Sequence, residues 1–212
     1  MYSHRRMTIG ALAAVAIAIF SWAPYSAATT MEQKTLSELM SGAELVFEGT
    51  VTASSVGPTP NGQAIQTCVT FNVLDVISGS HPNGPLVLCF LGGELNGQRM
   101  VVTDLRYPVV GEHGIYLVES THVPMVNPLI GWDQGRFLVA ADPADGAAKM
   151  TTAERRPIMA IGGSVVHAAE GGSAILPPGG AAADVRSADG PDLRGAMTRD
   201  AFKARLRAMG ER

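Results

Sequence analysis

The side chains with which this 212-residue chain could do chemistry are five histidines, two cysteines and a scatter of serines and acids. The histidines are His4, His81, His113, His122 and His167. A structural or catalytic zinc needs several such ligands at short, regular spacing, as in a His-Glu-x-x-His run. No pair here has that spacing, and the chain is expected to hold no metal and no cofactor. Glu112-His113 puts an acid beside a base, but neighbours in a turn point apart, so a solvated turn is expected rather than an acid/base pair. Serine chemistry needs a nucleophile on a strained elbow, and no Gly-x-Ser-x-Gly is present. Gly162-Gly163-Ser164 lies instead at the start of a Gly- and Ala-rich stretch. Gly92-Gly93 lacks the Lys and the helix that follow a phosphate-binding loop. The expected catalytic set is therefore empty.

Cys68 and Cys89 are the exception, because their surroundings predict where they lie. From Ala64 to Ile77, Val69, Phe71 and Val73 alternate with Cys68, Thr70 and Asn72, which is the period-two pattern of a half-buried strand. Past Val73 the alternation fails at Leu74, Val76 and Ile77, which predicts a bulge and a bend. Ser78 to Pro85 is dense in turn residues. Leu86-Val87-Leu88-Cys89-Phe90-Leu91 then forms a second arm, with Leu86, Leu88 and Phe90 on one face. If both apolar faces point inward, the two cysteines share the outer face of neighbouring strands, within bonding reach. A disulfide is expected, contributing about 3 kcal/mol by restricting the unfolded chain. The other reading is two buried free thiols.

The remaining elements follow in order. Thr35-Leu36-Ser37-Glu38 is a capping box that opens a short helix to about Gly42. Glu44 to Ala53 alternates as a first strand, and Gly57 to Gly62 is a loop. Glu94 to Gly97 reads as a turn and Gln98 to Thr103 as a strand. Ile115 to Glu119 is apolar on both faces and predicts a central, covered strand. Thr121 to Asn127 is a loop. Leu129 to Ala140 reads as two short strands with a bend at Trp132-Asp133-Gln134-Gly135. Arg156 to Ile161 is a last short strand. Residues 162–195, rich in Gly, Ala and Pro, read as a flexible linker. Thr198 caps a C-terminal helix with Phe202, Leu206 and Met209 on one face, and with Arg199, Lys203, Arg205 and Arg207 on a solvated basic face.

Composition narrows the class. The chain is 46% hydrophobic and 17% charged, with 24 glycines and 13 prolines, which suits one β-rich domain with a real core. Its formal net charge of −3 argues against nucleic acid as a partner. His4-Arg5-Arg6 precedes an apolar run from Met7 to Phe20, and Ser26-Ala27-Ala28 offers small residues for cleavage. Residues 1–28 therefore read as a signal peptide, and the protein as periplasmic or secreted. Membrane attachment is expected only if that segment stays uncleaved. The domain reading is 1–28 signal, 29–161 barrel, 162–195 linker and 196–212 helix.

Several stretches taken together carry a resemblance: Leu36-Ser37-Glu38-Leu39, Ala43 to Val51, Val69 to Val76, Gly92-Gly93, Tyr107 to Val118, Gly131 to Val139 and the last helix. They resemble a group of exported bacterial proteins of unknown function with an oligosaccharide/oligonucleotide-binding (OB-like) barrel. Their order is similar to the netrin-like domain of tissue inhibitors of metalloproteinases. The resemblance implies an all-β, OB-like barrel of five or six strands with a short N-terminal and an appended C-terminal helix. Related bacterial barrels accompany secreted matrixin-type proteases, which implies a protein partner. The inhibitors reach the protease zinc with an N-terminal cysteine; the start expected here is Thr29-Thr30-Met31, so that mechanism does not carry over. Ser78-Gly79 stands where the bacterial pattern often has Lys-Gly.

The function expected on these grounds is that of an exported, non-enzymatic binding module associated with secreted proteases or envelope proteins. The alternative is an enzyme, or enzyme accessory, whose site is assembled from dispersed residues. Trp132, Asp133, Tyr107 and His122 are the candidate rim contacts, with Trp132 packed over the barrel end as the competing reading.

Overall fold

A computed structural model describes residues 32–162 and 180–211. The expected signal peptide and the first part of the expected linker lie outside the described residues. Helix α1 (Leu36–Gly42) starts at the predicted capping box, with Thr35 and Glu38 each bonded to the other's backbone amide. Leu36, Leu39 and Met40 are its buried side. Ten strands follow among the described residues: β1 (Leu45–Pro58), β2 (Ile65–Ser78), β3 (Pro85–Leu91), β4 (Gly93–Leu95), β5 (Gln98–Met100), β6 (His113–Val118), β7 (Arg136–Ala141), β8 (Ala148–Thr152), β9 (Ile158–Ile161) and β10 (Val185–Ser187). Helix α2 (Arg199–Gly210) closes the chain.

Six strands make one antiparallel sheet in the order β3-β2-β1-β6-β7-β8. Its edges, β3 and β8, are not paired with each other, so the sheet is open, not a closed ring. β1 and β2 are long enough to bend, and the register between them slips at three places. One slip skips Leu74, between the pairs Glu48↔Asp75 and Gly49↔Val73, where the alternation of β2 fails in the sequence. Gly49 of β1 faces Gly114 of β6. The Phe47 ring lies over Gly49, where an added Cβ would stand 2.9 Å from it, and the Tyr116 ring lies over Gly114 at 3.1 Å. The paired glycines leave the space in which Phe47 and Tyr116 stack at 5.3 Å.

The sheet carries a core on each side. Phe47, Val69, Phe71, Leu88, Phe90 and Tyr116 fill one face. Val46, Ile115, Leu117 and Phe137 pack on the other, against α1 and against Phe202 and Leu206 of α2. β6 is buried on both faces, as its unbroken apolar run predicts.

Several expectations need correction. Residues 182–196 are not a free linker: β10 pairs with β9, and Ala182, Val185, Leu193 and Ala196 are buried. Composition hid this because only a few small apolar side chains make the contact. Of the expected turn from Glu94 to Gly97, Asn96-Gly97 is a turn, whereas Glu94 and Leu95 belong to β4, paired with β5. β8 was not anticipated; Lys149 and the threonines mask a segment whose Met150, Thr151 and Thr152 are buried. Before the bend at Trp132–Gly135, a single 3-10 turn, Leu129 makes only an isolated bridge to Val118.

Candidate functional site

Cys68 and Cys89 face each other across β2 and β3 and form a disulfide, with Cα atoms 4.0 Å apart. Such a short distance belongs to a pair that exchanges no backbone hydrogen bonds. Beside this bridge lies a groove of about 410 Å³. One side is the edge strand β3, with Val87, Leu88, Cys89 and Leu91, and Gln66 of β2 beside it. Its far wall is the loop from Ser120 to Pro128, with Val123, Met125 and Val126. Val87, Val123 and Val126 are half or more exposed, or nearly so, at 50%, 61% and 43%. His122 is the only titratable side chain in the lining. The loop is held by Glu44, whose carboxylate accepts from the Thr121 hydroxyl and amide, and by Leu91 N, which donates to Val126 O at 2.9 Å. The Thr121 hydroxyl bond keeps the Glu44 carboxyl below its ordinary value.

Ionisable residues gather elsewhere, in two clusters that close on themselves. In the first, Glu112 on the turn before β6 takes a two-pronged contact from Arg136 at the start of β7. The Tyr116 hydroxyl donates to the same carboxylate at 2.9 Å. Asp133 faces Arg136 at 3.6 Å and Arg106 at 3.2 Å. Burial pulls the Arg136 guanidinium down, but the Glu112 hydrogen bonds and charge more than offset it, and it is held above its ordinary value. Burial, reinforced by the Glu112 charge, pushes the Tyr116 phenol far up, so it stays a hydrogen donor. Burial also raises Asp133, against the pull of Arg106 and Arg136. Glu112 is therefore not on a solvated turn: it is 8% exposed and Arg136 neutralises it. It diverges from His113 as neighbours do, since His113 points to Glu48 at 2.9 Å.

The second cluster lies where α2 crosses the bulge. The register places Glu48 opposite Asp75, two acids side by side. Lys203 of α2 reaches both, Arg207 pairs with Asp75 at 2.6 Å, and Arg199 stands 3.5 Å from Glu48. Burial raises Glu48 and Asp75, yet the Lys203 bonds and the surrounding cations leave both below their ordinary values. The basic face of α2 is thus engaged with the sheet through Arg199, Lys203 and Arg207, which corrects the expectation of a solvated face.

The four expected rim residues are dispersed. Asp133 is buried in the arginine cluster, and Tyr107 packs on Phe90 at 5.9 Å and donates to Leu91 O. Trp132 is half-buried with a φ of 60°. Of the four, only His122 lines the groove. No hydrogen bond or ion pair joins any two of them. The groove's own residues are hidden in the sequence because a loop reads as a connection. The available signal was a loop with Val123, Pro124, Met125 and Val126 in succession, too apolar for ordinary solvent-facing chain.

No group of three or more candidate metal ligands occurs among the described residues. No helix among them is long and apolar enough to cross a membrane. Comparison of the chain with protein-family models, with curated proteins and with solved structures found no match.

Proposed function

We propose that this chain is an exported, non-enzymatic binding module on an OB-like, partly open barrel, with the groove beside the Cys68–Cys89 bridge as its binding face. The observation that carries this reading is the groove itself: about 410 Å³, walled by exposed valines and nearly free of charge. That volume falls in the range of ordinary ligand clefts, about 300–1,000 Å³. A catalytic cleft gathers ionisable groups toward its cavity. Here Glu48, Asp75, Glu112, Asp133 and Arg136 face one another, away from the groove. Three features support the OB-like reading: the long β1 shared between β2 and β6, with three register slips against β2, the aromatic-rich apolar filling of one sheet face, and the resemblance in element order. The disulfide supports export, because such bridges persist in oxidising compartments. A secreted protease or an envelope protein is the partner the resemblance implies.

The test is capture of partners from the native periplasm or culture medium with the wild-type chain and with Val123→Asp, which puts a charge in the groove wall. A partner retained by the first and lost by the second supports binding at this face. Turnover in a hydrolase screen that survives Val123→Asp would favour the enzyme reading.

A further inference from the structure

The groove runs along a sheet edge whose backbone is partly unused. Along β3, alternate residues aim their backbone groups toward β2 and away from it. Gly92 N donates to Ile65 O at 2.7 Å, so the even-numbered positions Leu86, Leu88 and Phe90 face β2. Leu91 N donates outward to Val126 O, so Leu91, Cys89 and Val87 face away. The short Cα distance at Cys68–Cys89 agrees with this phase. Leu91 is satisfied on both counts, since its carbonyl accepts from Tyr107 at 3.1 Å. The N–H and C=O of Cys89 and Val87 have no partner among the described residues, and at these positions the groove takes the place of a neighbouring strand.

Edges of this kind are normally blunted with charge, and β3 has none in Leu86-Val87-Leu88-Cys89-Phe90-Leu91. We propose that Val87 and Cys89 form a strand-addition site for an extended, uncharged peptide segment of a partner protein, which pairs with this edge and lays alternate apolar side chains against Val123, Met125 and Val126. This rests on the binding reading above and names its partner class. Charge selects the occupant: the lining offers one histidine and no Lys, Arg, Asp or Glu, so a charged segment would lose water without gaining a counterion. The groove has β3 on one side and the 120–128 loop on the other. The lining also lacks any Trp, Tyr or Phe on which a sugar ring could stack. The open stretch from Val87 to Cys89 pairs with about three residues of a peptide at roughly 3.4 Å each.

The test uses the full chain and a panel of capped seven-residue peptides alternating Ser or Thr with Val, Ile or Leu, read by fluorescence polarisation and by amide hydrogen exchange. The proposal expects the Val87 and Cys89 amides to exchange freely in the free protein and to slow on binding. N-methylation of the alternate peptide amides that face β3 should weaken binding about tenfold or more. Val87→Pro should do the same, and it removes no bond to β2 because that N–H faces outward. Should Val87→Pro fail to fold, the methylated peptides still decide. Binding that ignores both changes yet is abolished by Val123→Asp overturns strand addition and leaves the binding module standing. No peptide binding at 1 mM overturns it as well, and if partner capture is also blank the binding reading falls with it. Protection of both amides in the free monomer would mean that the chain's own segment fills the edge. Protection that rises with protein concentration would mean a second copy. Either result overturns the proposal.

Discussion

Replacing Lys203 by Met removes the cation that lies between two acids. Glu48 is 3% exposed and the register sets it directly across from Asp75. Like charges opposite each other in a sheet cost roughly 0.2–1 kcal/mol, and stranding a buried charge costs about 3–5 kcal/mol. His113 and Arg199 remain beside Glu48, and Arg207 beside Asp75, so the loss should sit below that upper range, at about 2–3 kcal/mol. For a domain of this size that is a fall in Tm of about 4–12 °C. The assay is urea unfolding at pH 7 of wild type, Lys203→Met, Glu48→Gln and the double variant. The cycle should return a coupling of at least about 1 kcal/mol, since the two groups touch. The difference should also vanish in acid. Lys203 holds both carboxyls below their ordinary values, so their contribution is complete above the usual carboxylate range and is lost as pH falls through the depressed folded values. Wild type and Lys203→Met should therefore draw together as pH falls below the usual carboxylate range and meet only beneath the depressed folded values. A loss under about 0.5 kcal/mol at pH 7, or strict additivity, would refute the account of how α2 is held.

Arg136→Met leaves the Glu112 carboxylate buried beside the Tyr116 hydroxyl, and should cost about 3–5 kcal/mol in the same assay. The Cys68→Ser/Cys89→Ser double variant should lose about 3 kcal/mol, and the denatured but unreduced wild-type protein should show no free thiol on titration. Gly114→Ala puts a methyl 2.6 Å from Phe137 O and against the Tyr116 ring, so it should destabilise by about 1–3 kcal/mol in thermal unfolding, whereas Gly146→Ala meets open space and should be felt only through its φ of 71°. Phe202→Ala removes the ring packed 4.9 Å from Phe137 and should cost about 3–5 kcal/mol.

The hairpin and its disulfide were legible because strand alternation is local: each side chain's face follows from its neighbours in sequence, and two such strands joined by a turn fix the cysteines opposite each other. The bulge at Leu74, the capping box at Thr35 and the covered strand β6 were legible for the same reason. Glu48 and Glu112 read in the sequence as polar positions on strand or turn, since nothing near them in the chain tells that a cation waits far away. Lys203 and Arg136 reach them only once α2 has crossed the sheet and β7 has paired with β6. The fate of residues 182–196 was likewise set by contacts with distant elements, among them the pairing with β9. Their apolar side chains are too few to announce a core, but sufficient to finish one.

The sequence by itself determined strands β1, β2, β3 and β6, the inward faces of the hairpin, the bridge across it and the absence of a familiar catalytic spacing. Tertiary structure alone decided that the sheet stays open, that the acids are sealed by distant cations, and that an apolar loop stands off from the edge at Val87 and Cys89 to leave a groove. The division follows range. Periodicity encodes which way a side chain points within its own element, whereas burial of a charge or exposure of an edge depends on what another part of the chain places against it.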